Sequence, residues 1–289
     1  MPGGLDHIVH AVRDLDAAAD LYRSLGFTVG ARNKHPWGTH NHIVQMPGFF
    51  IELLTLAEPD KLSDDGFSQM FGAYARDFTE RHEGLALLIL ESQDARADET
   101  AFRAAAIAAS DVMRFEREGR RPDGSPVKVA FSLAFAEDKL APEIHFATCQ
   151  QHYPENFWNP AFQKHANSVI GVAGVVVVAA APAQHRAFFE TFTGAPARES
   201  EGGFSVATPR GVIDVATPEA FVRRFGVKAP DVSRGARLAA LRFRTADAEL
   251  VQAGPDFVGI AGLYAGNATV IGADDALGAV LVFEPAEAR

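Results

Sequence analysis

Gly4-Leu5-Asp6-His7-Ile8-Val9-His10-Ala11-Val12 decides the fold: it is an apolar strand that carries a histidine at position 7 and runs straight into an amphipathic helix. That helix starts at Asp14 or Asp16 as N-cap, buries Ala18, Leu21, Tyr22 and Leu25 on one face, and ends at Gly26 in the left-handed position after its last turn. Working outward, Phe27–Ala31 reads as a strand and residues 32–39 as a polar loop. His40–Met46 and Phe49–Leu56 read as two more strands, so the order is β-α-β-β-β. Glu52 stands in the middle of the last strand. An ionised carboxylate inside an apolar strand is costly unless it is paired or meets a cation. With His7 on another strand of the same unit, the pair points to a metal site inside a small curved sheet.

The pattern repeats in degraded form. A helix is expected near residues 66–78. A second copy then follows, with strand Leu85–Glu91, an alanine-rich helix over residues 94–110, a strand near residues 112–118, the turn Arg121-Pro122-Asp123-Gly124-Ser125-Pro126, strand Val127–Phe135 and strand Glu143–Cys149. A third copy opens with strand Val172–Ala179 and a helix carrying Phe188, Phe189 and Phe192 on one face, and closes with strands near Phe204–Ala207 and Val212–Ala216. The fourth keeps strand Leu238–Thr245 and almost no helix over Ala246–Ala253. Strands near Phe257–Tyr264, Ala268–Ile271 and Ala279–Phe283 complete it. The expected architecture is α+β: four βαβββ units paired into two halves with curved mixed sheets, residues 1–150 and 169–289, joined by a linker over 151–168. In the linker, His152, Tyr153, Phe157 and Trp158 read as hydrophobic pins, with a pocket wall as the alternative.

Composition narrows the function. A formal net charge of −10 over 289 residues argues against nucleic acid and anionic membrane surfaces as partners. The longest apolar run, Val169 to Ala183, is too short to span a bilayer and is broken by Gly171, Gly174 and Pro182. One cysteine, Cys149, excludes an internal disulfide framework, suits a reducing cytoplasm and reads as an inert buried thiol. No phosphate-binding loop, dinucleotide fingerprint or nucleophile elbow is present.

The stretch Leu5 to Phe27, with Gly38-Thr39-His40-Asn41-His42 and Phe50-Ile51-Glu52-Leu53-Leu54, resembles the vicinal oxygen chelate superfamily, which includes glyoxalases, bleomycin-resistance proteins and extradiol dioxygenases, and within it the glyoxalase-like domain branch. The resemblance implies paired βαβββ units closing around a divalent metal (Zn, Mn, Fe or Ni), with ligands from the first and fourth strands of each unit. Carried over by position, His7 and Glu52 fill the two slots of the first unit. In the second, Leu87 takes the first slot and His145 the fourth, so the implied ligands are His7, Glu52 and His145. The third and fourth units offer Gly174, Asp214, Ala240 and Val282 or Phe283, so the second half is expected to hold no metal.

His40 and His42 share one strand face with Val44 and Met46; turned inward they would be a general base or substrate contacts, and turned outward they would be solvated. Glu52 could act as ligand and base together. The leading expectation is a cytoplasmic, metal-dependent lyase or isomerase for a small molecule with adjacent oxygens, with a homodimer left open. The rival is a metal-free sequestering protein of the bleomycin-resistance type. A ring-cleaving dioxygenase ranks behind both, because the candidate ligands lie in the first half.

Overall fold

The computed structural model describes residues 3–120, 124–247, 262–265 and 267–286. It has two eight-stranded mixed sheets. The first contains β1 (Leu5–Ala11), β2 (Asn33–Lys34), β3 (Thr39–Met46), β4 (Phe49–Leu56), β5 (Gly84–Glu91), β6 (Met113–Arg120), β7 (Pro126–Ala136) and β8 (His145–Gln151), in the order β2-β3-β4-β1-β5-β8-β7-β6. The second contains β9 (Val169–Val178), β10 (Ala197–Ser200), β11 (Gly203–Ala207), β12 (Val212–Ala216), β13 (Arg237–Thr245), β14 (Gly262–Ala265), β15 (Ala268–Ile271) and β16 (Val280–Pro285), in the order β10-β11-β12-β9-β13-β16-β15-β14. In each sheet the first strands of two units meet antiparallel at the centre, and each pairs in parallel with the last strand of its own unit. Four units thus form two curved sheets.

The two units of the first sheet share their punctuation. Asp14 accepts from the Asp16 and Ala17 amides at the start of helix Leu15–Ser24, and Asp94 accepts from the Arg96 and Ala97 amides at the start of helix Ala95–Ala104. Each cap satisfies amides that the first turn leaves open. One core lies between the sheets: Ile8, Leu88, Phe146, Val175, Leu241 and Phe283 belong to a single buried cluster with the helices Leu15–Ser24 and Arg186–Thr193. The other face of each sheet is covered separately, by a π-helical turn Ser68–Ala73 and helix Tyr74–Arg81 on the first and by helix Pro218–Phe225 on the second.

Three details differ from the sequence reading. Phe27–Ala31 is not a strand. The Thr28 amide donates to His165 Nδ1 (3.0 Å) and its hydroxyl to the Lys164 carbonyl (2.6 Å), so the linker takes those groups and the strand is the short β2. Helix Pro218–Phe225 was not expected; Thr217 caps it and Gly226 (φ 70°) ends it. The linker is partly ordered as helix Pro154–Phe157 and a short turn at Pro160–Gln163. The expected gap in the fourth helix and the strand start at Phe257 fall largely on residues 248–261, outside the described residues, as does most of the turn at 121–123.

Candidate functional site

The covered face of the first sheet leaves a cavity of about 90 Å³ at one end. At roughly 10–15 Å³ per water it has room for several waters or one small ring. His7 on β1 and Glu52 on β4 both line it, with Asn41, His35, Trp37 and Arg117. A bulge in β1 between Leu5 and His7 lets Asp6 and His7 lie together instead of on opposite faces. Asp6 and His7 are both buried, and His7 Nδ1 donates to Asp6 Oδ2 at 2.6 Å. Gln151 Nε2 donates to Asp6 Oδ1 (3.1 Å), and the His7 ring stacks on Phe50 with centroids 4.2 Å apart. Among the described residues, His7 Nε2 has no hydrogen-bond partner.

Glu52 is buried and accepts from Asn41 Nδ2 at 2.5 Å, while Asn33 Nδ2 donates to Asn41 Oδ1 at 3.1 Å. Asn41 thus holds one Glu52 oxygen and leaves the other free. His35 lies nearby, its Nε2 3.5 Å from Asn41 Nδ2; burial pulls its pKa below the ordinary range, and the Glu52 charge opposes that shift. Cys149 on β8 also lines the cavity, and burial, then the Asp6 and Glu52 charges, push its thiol well above the usual range. Asp6, His7 and Cys149 each offer a donor atom, all within 4.8 Å of one another, the one such group of three among the described residues. Two ligands of a tetrahedral ion at 2.0–2.2 Å stand about 3.4 Å apart. The 2.6 Å contact between Asp6 and His7 is therefore a hydrogen bond that orients the imidazole, not a pair of ligands.

His145 does not join this group. The strand register explains why. His7 lies opposite Phe50 and Glu52 opposite Val9; in the second unit Leu87 lies opposite His145, so His145 takes the place of Phe50 and Ala147 that of Glu52. The third and fourth units keep the same register, with Gly174 opposite Val212, Asp214 opposite Val176, Ala240 opposite Val280 and Val282 opposite Arg242. Aligning Ile144-His145 with Ile51-Glu52 is out by two residues. His145 stacks on Tyr74 (3.5 Å), donates Nδ1 to the Met70 carbonyl (3.3 Å) and is held neutral by burial, its pKa lowered to about 4.

His40 and His42 face away from the cavity. In the β3–β4 ladder Asn41 and Ile43 lie opposite Leu54 and Glu52 and share their face, so the histidines on either side of Asn41 point to the other. His42 Nδ1 donates to the Gly30 carbonyl (2.7 Å), and His40 Nε2 to Glu58 (3.2 Å). The sequence reading missed Asn41, which stands between those histidines and holds Glu52, and also His35 and Arg117. No signal in β3 singled out Asn41, because buried polar residues stand on both faces of that strand. Phe157 of the linker lines the cavity and is pinned there, its carbonyl accepting from Gln45 Nε2 (2.8 Å).

The second half has filled the matching place. Asp214 Oδ2 accepts from Arg242 Nη1 (2.7 Å) and Arg224 Nη1 (2.8 Å), and Arg242 holds Glu284 through two further bonds of 2.7 and 2.9 Å. No side chain fits at Gly174, where a Cβ would stand 2.3 Å from the Val212 carbonyl oxygen.

Paired βαβββ units, with one polar, aromatic-lined cavity in the first sheet, make a glyoxalase-type fold. The chain matches the glyoxalase-like domain over residues 5–193 and belongs to that family. No curated protein matches it. A hypothetical protein from Staphylococcus aureus has a similar structure over 98% of this chain and 99% of its own, at 14% identity and a TM-score of 0.67. A mutant of 4-hydroxymandelate synthase from Streptomyces coelicolor is similar over 92% of this chain and 78% of its own, at 15% identity and a TM-score of 0.59. These likenesses are of fold. Among the described residues no helix is long and apolar enough to cross a membrane.

Proposed function

We propose that the protein is a glyoxalase-like enzyme that takes a divalent metal at the His7–Glu52 end of its cavity and acts on a small molecule with adjacent oxygens. One observation carries this reading. His7 and Glu52 come from the first and fourth strands of one unit into one cavity, and a buried neighbour ties down one polar atom of each. His7 Nε2 and the free Glu52 oxygen would hold the ion, leaving the other positions to substrate or water; Cys149 Sγ groups with His7 and Asp6 rather than with Glu52. A nitrogen and a carboxylate suit Zn, Fe or Mn. When bound, the ion supplies Lewis-acid stabilisation of negative charge developing on a substrate oxygen. The protein's part is positional. Asp6 keeps the His7 proton on Nδ1, Asn41 aims Glu52, and the aromatic wall limits water around both. A Glu52 oxygen released towards substrate can receive a proton from carbon next to a carbonyl.

A second reading rests on the register. The second unit presents Leu87 and Ala147 where the first has His7 and Glu52. A cavity with only half a ligand set also suits a metal-free protein that binds its small molecule without changing it. Metal analysis of protein purified without chelators, wild type beside Glu52→Ala, separates the two. The enzyme reading expects bound transition metal in the wild type and its loss in the folded variant. Equal metal content in both, or none in either with no thermal stabilisation by added Zn or Fe, favours the binder.

A further inference from the structure

Proton abstraction in the cavity needs an acceptor, and the neighbours of each candidate decide which group is free to be one. The titratable side chains that line it are His7, His35, Glu52, Arg117 and Cys149. Arg117 has no lone pair to offer. Cys149 keeps its proton at neutral pH, because burial and then the Asp6 and Glu52 charges raise its pKa. His7 gives Nδ1 to Asp6 and leaves Nε2 for the ion. Glu52 gives one oxygen to Asn41 at 2.5 Å and the other to the ion, so to take a proton it must let go of one of them. His35 has nothing to release.

The contacts of His35 fix which ring nitrogen carries the lone pair. A carboxylate only accepts, so the Asn41 atom beside Glu52 is Nδ2, and the bond from Asn33 Nδ2 to Asn41 Oδ1 (3.1 Å) agrees. The same Nδ2 faces His35 Nε2 at 3.5 Å. Two donors would repel there, so Nε2 is unprotonated and the proton lies on Nδ1, which donates to Thr39 Oγ1 at 2.8 Å. The contact with Asn41 is long and weak, which leaves the Nε2 lone pair open to a substrate. The ring is held in place: it stacks on Trp37 at 4.6 Å, and Phe115 meets it edge-on at 6.0 Å. Burial, opposed by the Glu52 charge and helped by Arg117 and His40, lowers its pKa and keeps the imidazole neutral. The side chain is half-buried, so a proton it takes up can reach water.

We propose that His35 is the catalytic base of this cavity, its Nε2 taking the proton from the carbon next to the substrate's carbonyl. The electron pair of the broken C–H bond passes into the carbonyl to give an enediolate, and the proton on Nε2 then returns to carbon. The assignment rests on the enzyme reading above and separates holding from proton transfer, which that reading gave to Glu52 together.

The test follows exchange of carbon-bound hydrogen for deuterium in heavy water by proton NMR. The cavity, about 90 Å³, is smaller than the ~150 Å³ one that takes benzene, so the probes are the small hydroxycarbonyls glycolaldehyde and hydroxyacetone. The metal-loaded wild type should exchange at least one of them. His35→Gln should exchange it about 10²–10⁴-fold more slowly, the usual worth of a positioned base, with its metal content unchanged. Thr39→Val, which removes only the partner of Nδ1, should cost about ten-fold. Nitrogen-15 spectra of histidine-labelled protein, with the His35 signals identified by their loss in His35→Gln, should show Nδ1 protonated and Nε2 bare. Metal-loaded wild type that exchanges neither probe, equal exchange in His35→Gln, loss of metal in that variant, or a proton found on Nε2 would overturn the assignment. Wild type that holds no metal overturns the enzyme reading instead, and the nitrogen-15 spectra of that same protein still decide whether His35 Nε2 is a free acceptor.

Discussion

His7 Nδ1 stands 2.6 Å from Asp6 Oδ2, and the two residues are neighbours in sequence that a strand would ordinarily turn to opposite faces. The bulge in β1 makes the contact, and the contact determines which imidazole nitrogen is left for the cavity.

Asp6→Asn should therefore weaken metal retention by about 10–100-fold, the usual cost of losing an orienting partner behind a histidine ligand. The far-ultraviolet circular dichroism should stay the same. Competition with a chelator measures the loss, and retention equal to the wild type would show that Asp6 does not orient His7 for a metal.

His145→Leu should leave metal content untouched, because the register sets His145 opposite Leu87 and away from Glu52. Losing the stack on Tyr74 should still cost about 1 kcal/mol of stability, measured by urea unfolding. Loss of metal from the folded variant would return His145 to the ligand set.

His10 makes stability depend on pH. Its Nε2 donates to the Leu277 carbonyl (2.9 Å) across the two halves, and the Tyr22 hydroxyl donates to its Nδ1 (3.0 Å). Burial lowers its pKa to about 4, opposed by the Leu277 hydrogen bond and the Glu83 charge. Above pH 6.5 the imidazole is neutral both folded and unfolded and adds no pH dependence. As pH falls from about 6.5 to 4 the unfolded chain takes up the proton first, so stability drops, by about 3 kcal/mol at most. Urea unfolding at pH 7.5 and pH 5 should show the slope, and His10→Asn should flatten it. An unchanged slope in that variant would assign the pH dependence to other groups.

Arg242→Leu should destabilise the second half strongly. The guanidinium is mostly buried and neutralises Asp214 and Glu284 together. Removing it leaves Asp214 with Arg224 alone and Glu284 uncompensated, at a cost of about 3–5 kcal/mol. Thermal unfolding reads this directly; a melting temperature within a degree or two of the wild type would mean water already shares those charges.

The repeat was legible because a strand followed by a helix with one apolar face recurs, with an Asp cap in the first two units (Asp14 and Asp94) and a closing glycine in the first and third (Gly26 and Gly194). That His7 and Glu52 line one cavity was legible because charge inside an apolar strand is conspicuous. His145 was misread because the local match of Ile144-His145 to Ile51-Glu52 is stronger than the two-residue difference that only strand pairing reveals. The direction in which β3 faces decides between Asn41 and its flanking histidines, and buried polar residues on both sides of that strand erase the alternation that would tell them apart. The cap Thr217-Pro218 and the terminator Gly226 did announce the helix over the second sheet, but a βαβββ repeat has no element at that point to look for.

The core between the sheets gives the two halves different histories to bear. Ile8 and Phe146 share their buried cluster with Val175 and Leu241, so each sheet is the other's interior wall. A chain cut after β8 would expose that wall and aggregate instead of shedding a spare copy. A substitution on the inward face of either half, at Val175 or Leu241 as much as at Ile8 or Phe146, is therefore felt by both sheets as a change of volume in one shared wall.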